Sequence, residues 1–450
     1  MPAGRWKGWS VRIALLSYRS KEHCGGQGVY VKHLSRSLVE LGHEVHVFSG
    51  QPYPQGLHPD VKLTKVPSLD IFGTPELRMP PLRSLKDRFD LLEYLTTASG
   101  CFAEPMAFSF RVARLMRERV TEFDVVHDNQ SLGYGLLWMA RRGVPLAATI
   151  HHPISRDRRV DLSAARWRKR PSVARWYGFV RMQARVARRL PVLIGVSEAA
   201  TADAIEDFGV DPARFRVVPL GVDTELFAPA GPRVPGRIVA VASADRPLKG
   251  VVHLLDAVGK LRVDNDVDLQ LVSTLEPGGP TEQRIDELGL RDCVTVHSGL
   301  SDAELAALLA SAEVMCVPSL YEGFSLPTVE AMACGTPVVA SRAGALPEVI
   351  GGSRVGAGAD AGAIGGMLVE PGDVGALVDA LGGLLASAEE RERLGAAGRA
   401  RALARYSWTS VARATAEAYR DAIGVSGEPN AAVIRRRRKS SAARRTRRLR

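Results

Sequence analysis

The strongest chemical signal in the chain is the run EGFSLPTVEAMACGTPVV at positions 322–339. An apolar strand leads into a glycine-containing loop, and the loop leads into a helix. Backbone N–H groups at the start of such a helix favour a diphosphate. The carboxylate of Glu330, about one turn into the helix, can hold both hydroxyls of a ribose. Glu322 lies in the loop, so the two acids can bracket a ligand, although either acid alone would also fit a surface role.

Apolar runs of strand length alternate with segments of helical spacing along most of the chain. The predicted strands of the first half are Val11–Ser17, Glu44–Ser49, Asp124–His127, Leu146–Ile150 and Val192–Val196. After the Pro- and Gly-rich stretch APAGPRVPG, the predicted strands are Ile238–Ala242, Leu269–Ser273, Val294–His297, Val314–Val317 and Val338–Ala340. This alternation predicts an α/β fold of two Rossmann-like parallel-sheet domains, with the site in a cleft between them at the carboxyl ends of the strands.

The same patterns divide the 450 residues into five segments. Residues 1–227 are the N-terminal Rossmann-like domain, 228–236 the linker and 237–405 the C-terminal Rossmann-like domain. Residues 406–424 are an amphipathic helix that we expect to pack back on the N-terminal domain. Residues 425–450 are a basic tail whose self-repulsion predicts disorder.

The net charge of +11 is concentrated in two segments. Residues 435–450 carry ten Arg and Lys and no acid, and residues 156–189 carry twelve Arg and Lys against two Asp. The rest of the chain is therefore net acidic. The tail can hold anionic lipid or nucleic acid, or act only as a solubilising segment.

Apolar residues recur at helical spacing between Val173 and Leu190, and five arginines fill other positions. Such a basic amphipathic helix can lie on an anionic membrane, or it can pack its apolar stripe on the first domain. Together with 435–450, the segment 156–189 is the candidate contact with the inner face of a cytoplasmic membrane.

The five cysteines are scattered, with no C-x-x-C and no metal-ligand spacing, which favours reduced thiols in a cytoplasmic compartment. No apolar stretch reaches the about 18 residues of a membrane-spanning helix. The N-terminal residues show no long apolar block of a secretory signal.

Four segments together resemble the retaining glycosyltransferases of family 4. They are the Glu-x7-Glu run, VVPLGVDTELFAP at 217–229, LKG at 248–250 and GGQGVYV at 25–31. The resemblance covers roughly residues 11–423 and implies the GT-B fold, with an acceptor-side first domain and a nucleotide-sugar-binding second domain. It implies sugar transfer with retention from a nucleotide-diphosphate sugar, of UDP or GDP type. The acceptor is not specified by these motifs, and the basic segment 156–189 is the hint that it is a lipid or lipid-linked. No further cofactor is implied.

The resemblance also implies roles for particular residues of the second domain. Glu330 would hold the ribose of the donor, and Lys249 would neutralise its diphosphate. Glu322 and the residues that follow it would face the donor sugar and diphosphate. These following residues are Gly323, Phe324, Ser325 and Leu326. Without the motif, Lys249 would be a solvated lysine before a turn.

One position departs from the family's pattern. The family usually has an Arg five residues before that Lys, and this chain has Ala244 there, in VASADRPLKG. Arg246 is close and is the candidate for the missing guanidinium. The departure is the only support for the alternative of a non-catalytic nucleotide-sugar-binding protein of the same fold, and His151 and both Glu residues argue against that alternative.

In the first domain the family places a His at the end of a strand, pointing at the donor sugar. In TIHHP the Thr-x-His spacing selects His151, with His152 as the alternative, although a lone His is more often structural. Gly25, Gly26 and Gly28 would let the backbone approach the donor phosphates or the acceptor, or would form a plain strand–helix turn.

The implied mechanism does not use the paired acids of retaining glycosidases, and no such pair is evident in the chain. The donor's own phosphate would accept the acceptor's proton, and the leaving diphosphate would be stabilised by helix N–H groups, Lys249 and Arg246. No acid pair of the D-x-D kind stands in a suitable loop, so we expect metal independence. No specific nucleic-acid partner is expected either, because no aromatic residues interleave with the arginines of the tail. A nucleotide-sugar epimerase shares the architecture but not the Glu-x7-Glu run.

Overall fold

The structure is a computed structural model that describes residues 9–20, 27–73, 79–151, 154–242, 246–352 and 364–425. Its internal contacts separate the chain into two compact units. The first unit contains the chain up to Val196, Thr201–Val218 and the chain from Ala412 onward. The second contains Ser197–Ala200 and Pro219–Val411.

The first unit is built on a parallel sheet. Its strands are β1 Arg12–Ser17, β2 Glu44–Ser49, β3 Lys62–Lys65, β4 Val125–Asn129, β5 Leu146–Ile150, β6 Val192–Gly195 and β7 Phe215–Val217. They lie in the order β3-β2-β1-β4-β5-β6-β7, and each neighbouring pair is parallel. Almost every residue of the central strands is buried, as expected for a parallel sheet covered by helices on both faces. Strands β1 and β5 are mainly apolar, whereas β4 ends in the buried polar residues His127, Asp128 and Asn129.

The second unit has its own parallel sheet. Its strands are β8 Arg237–Val241, β9 Asp268–Val272, β10 Val294–His297, β11 Val314–Val317, β12 Val338–Ser341 and β13 Gly366–Val369. They lie in the order β10-β9-β8-β11-β12-β13, again with parallel pairs. All four residues of β11 are buried, so the loop that follows β11 starts from a fixed point in the core.

The helices connect the strands in chain order. They are α1 Gln27–Glu40, α2 Arg88–Ala98, α3 Glu104–Arg119, α4 Tyr134–Ala140, α5 Ser155–Ala164, α6 Arg170–Trp176, α7 Phe179–Ala187, α8 Glu198–Phe208, α9 Val251–Leu261, α10 Pro280–Glu287, α11 Asp302–Ser311, α12 Leu326–Ala333, α13 Leu346–Ile350, α14 Val374–Ala386, α15 Ala388–Arg401 and α16 Trp408–Val425. Across the described ranges, none of these helices combines the length and apolar character needed to cross a membrane.

These two sheets confirm the predicted α/β fold with parallel sheets on either side of the linker segment. Three strands, β3, β7 and β13, were not predicted from the sequence. Each lies at the edge of its sheet, where a short strand needs no long apolar run.

The prediction of one basic helix between Val173 and Leu190 is wrong. The structure has two helices there, α6 and α7, separated by Tyr177 and Gly178. The apolar side of α7 lies in the core of the first unit, and α6 buries no residue. The apolar stripe of α7 is therefore used for packing within the unit. The basic segment 435–450 lies outside the described residues.

Candidate active site

The acid-bearing segment of the second unit runs from β11 into α12. Ser325 stands at the start of α12 with a left-handed backbone, φ 76°, and its hydroxyl lies 2.7 Å from that of Thr328. Within the described part of the chain, no side chain caps this helix, so its first N–H groups remain available to a ligand. A strained residue before an uncapped helix start is a suitable place for an anion.

Glu322 is held at its backbone and at its carboxylate. Its carbonyl oxygen accepts the N–H of Ala345 at 2.9 Å, and a Cβ on Gly344 would lie only 2.1 Å from that oxygen. Its Oε1 accepts hydrogen bonds from Lys249 Nζ and from Ser319 Oγ, each at 2.8 Å. The acid predicted to face the donor sugar thus has a fixed position, paired with the lysine predicted to face the diphosphate.

The turn that carries Lys249 packs against the loop after β11. Gly250, the N-cap residue before α9, has φ 65°, and a Cβ on it would lie 2.0 Å from the carbonyl oxygen of Pro318. The N–H of Leu320 donates to the carbonyl of Leu248 at 2.8 Å. Only glycine fits this approach, and the approach brings the ammonium group to Glu322 across 73 positions of sequence.

Glu330 lies on α12 and is part-buried, and its carboxylate has no hydrogen bond or ion pair to another described residue. Burial raises the pKa of its carboxyl to about 8, and the charge of Asp302 adds to the effect. A desolvated carboxyl without a protein partner is typical of a group that a ligand completes. Arg246 is exposed and forms no ion pair within the described ranges, and Ala244 lies outside them.

In the first unit, His151 directly follows β5. Its Nε2 lies 2.6 Å from Asn129 Oδ1, and its backbone N–H donates to Gln130 Oε1 at 2.7 Å. The ring of Tyr30 meets the imidazole edge-on, with 4.7 Å between ring centroids. Burial lowers the pKa of His151 to about 4, so its imidazole is neutral at physiological pH.

A buried polar network lies behind this histidine. His127 Nε2 is 2.7 Å from Thr149 Oγ1, and its Nδ1 is 2.7 Å from the hydroxyl of Tyr419 on α16. The hydroxyl of Tyr30 lies 3.2 Å from Thr149. Burial, with a smaller contribution from His151, lowers the pKa of His127 to about 3. The network links β4, β5, α1 and α16, and it fixes the positions of the buried side chains next to His151.

The glycine loop is described only in part. Gly28 is buried in the first turn of α1. Gly25, Gly26 and the alternative histidine, His152, lie outside the described residues.

Both halves of the chain match known glycosyltransferase families. Residues 25–221 match the family model "Glycosyl transferase 4-like domain", and residues 223–401 match "Glycosyl transferases group 1". An MMP α-(1→4)-mannosyltransferase from Mycolicibacterium hassiacum is 61% identical over 414 residues, covering 92% of this chain and 98% of its own. The chain belongs to the group 1 glycosyltransferases.

Other relatives of this glycosyltransferase are more distant. A D-inositol 3-phosphate glycosyltransferase from Xylanimonas cellulosilytica is 30% identical, covering 92% of this chain and 95% of its own. Sucrose-phosphate synthase from Thermosynechococcus elongatus superimposes with a TM-score of 0.64 at 24% identity, over 92% of this chain and 100% of its own. Anabaena HepE in complex with UDP gives a TM-score of 0.61 at 19% identity, over 90% and 98%. These likenesses confirm the GT-B fold.

Sequence reasoning missed three side chains that are hydrogen-bonded to the candidate site residues His151 and Glu322: Asn129, Gln130 and Ser319. A usable signal was present, because the polar run DNQS at 128–131 directly follows the predicted strand Asp124–His127, at the carboxyl end where ligands bind. Gln130 also has φ 57°, and a left-handed residue other than glycine often marks a functional site. Within the described ranges, no three His, Cys, Asp or Glu side chains gather into a group that could hold a metal ion.

Proposed function

We propose that this glycosyltransferase moves mannose from a nucleotide-diphosphate mannose, of UDP or GDP type, to the 4-hydroxyl of a sugar acceptor. The observation that carries the proposal is the 61% identity, over nearly the whole of both chains, to an MMP α-(1→4)-mannosyltransferase. An alignment of that extent includes most of both units.

The second unit supplies the donor-binding groups in this proposal. The unpaired N–H groups at the start of α12, from Ser325 and Leu326 onward, bind the diphosphate together with Lys249 and the exposed Arg246. The carboxylate of Glu330 accepts the ribose hydroxyls. Because Lys249 is already paired with Glu322 at 2.8 Å, donor binding divides the lysine's hydrogen bonds between that carboxylate and the diphosphate.

The remaining donor contacts are sugar contacts. Glu322 has Oε1 occupied by Lys249 and Ser319, which leaves Oε2 to accept a hydroxyl of the donor sugar, beside the backbone of Gly323 and Phe324. His151 of the first unit is proposed to meet the donor sugar as a neutral imidazole. The glycine loop that includes Gly28 is proposed to approach the phosphates or the acceptor.

The stereochemistry follows from the chemistry of the substrates. Nucleotide-diphosphate mannose carries its phosphate on the α face, so an α-(1→4) product retains the configuration at the anomeric carbon. In the proposed reaction the bond between the anomeric carbon and the phosphate oxygen breaks, and the acceptor's 4-oxygen forms its bond on the same face. The acceptor's proton goes to the leaving phosphate, which Lys249 and the N–H groups of α12 stabilise as its charge develops. No metal ion is part of this proposal.

The test is a transfer assay with UDP- and GDP-mannose against methyl α-glycosides that have a free 4-hydroxyl. Product structure by NMR gives both linkage position and anomeric configuration. An α-(1→4) mannoside supports the proposal, whereas a β-mannoside would overturn retention. Glu276→Gln, a change of an exposed loop acid, serves as the control variant beside Glu330→Ala. Selective nucleotide binding without transfer to any acceptor would instead favour a non-catalytic binding protein.

We also propose that the glycosyltransferase associates peripherally with anionic membranes. The support is the exposed segment 166–170, which leads into α6 and in which Trp167, 75% exposed, stands among four cations: Arg166, Arg168, Lys169 and Arg170. A tryptophan among cations suits a lipid headgroup layer, and a lipid or lipid-linked acceptor would then be within reach. Co-sedimentation with phosphatidylglycerol vesicles that disappears in Trp167→Ala plus Lys169→Glu would support this. Unchanged sedimentation of that variant, or none by the wild type, would refute it.

A further inference from the structure

Asn129 reaches the imidazole of His151 because of the strand register. In the sheet of the first unit, β4 lies beside β5, and Asn129 pairs with Thr149. His151 is two positions beyond Thr149, so it returns to the same face of the sheet as a diagonal neighbour of Asn129. The result is the contact of 2.6 Å between Asn129 Oδ1 and His151 Nε2.

A second hydrogen bond fixes which end of the Asn129 amide faces the ring. Its Nδ2 donates to the backbone carbonyl of Gln27, the first residue of α1, at 3.4 Å. A carbonyl can only accept, so the amide nitrogen must face Gln27 and the amide oxygen must face His151. Because an amide oxygen can also only accept, His151 Nε2 must carry the proton of that hydrogen bond.

The opposite ring nitrogen is left without a proton. Nδ1 of His151 makes no hydrogen bond with any described residue. Among the described residues, the titratable groups that face the ring are Tyr30 of α1 and His127 of β4, and neither is an anion that would stabilise an imidazolium. Burial of the ring acts in the same direction and favours the neutral form.

We propose that Asn129 is a positioning residue that holds His151 as the Nε2–H tautomer and thereby presents Nδ1 as a hydrogen-bond acceptor to a substrate hydroxyl. The proposal rests on the proposed function of sugar transfer. It specifies the chemistry of that contact: a hydroxyl that donates to the imidazole, not a phosphate oxygen that accepts from it. It also links the start of α1 to the histidine through a single amide side chain.

The direct test is nitrogen NMR of the full-length protein labelled with 15N-histidine, with His151 assigned through His151→Gln. The wild type should show a protonated Nε2 and a bare Nδ1 over the whole range from pH 6 to 8. Asn129→Asp places a carboxylate against Nε2, which should raise the pKa of His151 and bring protonation of Nδ1 into that range. Asn129→Leu, similar in size but without an acceptor, should remove the preference for one tautomer.

The chain offers a matched control in its second unit. Gln270 Oε1 lies 2.6 Å from His297 Nε2, and its amide nitrogen donates to Asp268, so the pair repeats the geometry of Asn129 and His151. Gln270→Glu should move the His297 signals and leave those of His151 unchanged. This control shows whether an introduced carboxylate acts only on its own histidine.

Activity provides a second readout. Asn129→Leu should lower kcat about tenfold, the change expected when one hydrogen bond is lost, with nucleotide affinity unchanged. Asn129→Asp should lose activity as the pH falls through the raised pKa of His151 and recover above it. A bare Nε2 in the wild type, or a His151 spectrum unaffected by either Asn129 variant, would overturn the proposal. If the wild type shows the Nε2–H form but transfers no sugar, the proposed function fails while the tautomer assignment is supported.

Discussion

Glu330→Gln tests whether a desolvated acid on α12 is kept for a ligand at the expense of stability. The pKa of Glu330 is about 8 in the folded protein, against an ordinary value of 4.5. Below pH 4.5 the carboxyl is protonated in both the folded and the unfolded state. Between pH 4.5 and 8 the unfolded state ionises first, so the folded state loses stability as the pH rises through this window. Above pH 8 the loss is complete.

The size of the effect follows from the width of that window. Each pH unit inside it lowers the free energy of unfolding by about 1.4 kcal/mol, so roughly 3 kcal/mol separates pH 4.5 from pH 7. Because the Glu330 side chain is only part-buried, this figure is an upper value. Glutamine carries no charge at either pH and escapes the loss. At about 2–4 °C per kcal/mol for a unit of this size, the variant should melt several degrees above the wild type at pH 7.

The assay is thermal unfolding followed by circular dichroism at pH 4.5, 6 and 7.5, without nucleotide. The difference in Tm between Glu330→Gln and the wild type should be near zero at pH 4.5 and should grow with pH. Glu276→Gln, a change of an exposed loop acid, should follow the wild type throughout. Parallel pH curves for Glu330→Gln and the wild type would refute the reasoning, because the carboxyl would then ionise equally in both states.

The same substitution should have the opposite effect on donor binding. A carboxylate accepts ribose hydroxyls better than an amide does, so Glu330→Gln should weaken nucleotide-sugar binding about tenfold or more. In the wild type, affinity should rise with pH up to about pH 8, because binding requires the ionised form. Calorimetry with the intact nucleotide sugar isolates this effect, since both of its phosphates are esterified and do not titrate near neutral pH. A flat wild-type profile would contradict the role of Glu330 in ribose binding.

Three further predictions concern the diphosphate side of the site. Lys249→Ala should lower kcat by about 10²–10³, since it removes a cation from the leaving group; an initial-rate assay in which kcat is unchanged would exclude that role. Gly250→Ala should destabilise the protein by about 2 kcal/mol or more, because its φ is 65° and its Cβ would lie 2.0 Å from the Pro318 carbonyl oxygen; urea unfolding measures this, and a wild-type midpoint would contradict it. Initial rates should be equal in EDTA and in magnesium, and a loss of activity in EDTA that magnesium restores would show a metal requirement.

The fold was predictable because its signals are local. Buried parallel strands are usually apolar runs, and the residues of β1 and β11 predict a strand without any knowledge of the strands that lie beside them. The edge strands carry no such signal, since β3 is Lys-Leu-Thr-Lys and is half-exposed. The helix expected over 173–190 failed for a related reason: helical spacing predicts a face, but not where the chain breaks between α6 and α7.

The candidate site was also predictable only in part, because the sequence indicated which residues belong to it but not which of them are paired. The motifs predicted Glu322, Lys249 and Glu330 as donor-site groups, yet they did not indicate that Lys249 donates a hydrogen bond to the carboxylate of Glu322 at 2.8 Å. That pairing depends on Gly250 lying against Pro318, which is a contact between distant segments. A glycine before a helix predicts a turn, and only the packed structure shows what the turn approaches.

Strand order explains why Asn129 was not predicted. β4 follows β1 in the sheet although three helices and two other strands separate them in the chain, and β5 then lies beside β4. Asn129 and His151 therefore become neighbours only through a crossover connection, whose register sets the side chains that share a face. Two residues have a left-handed backbone beside the candidate groups of each unit: Gln130 directly follows β4, and Ser325 immediately precedes α12. Backbone strain of this kind persists only where the surrounding packing enforces it. The rigid elements of each unit, more than the loops themselves, therefore determine where the candidate site residues lie.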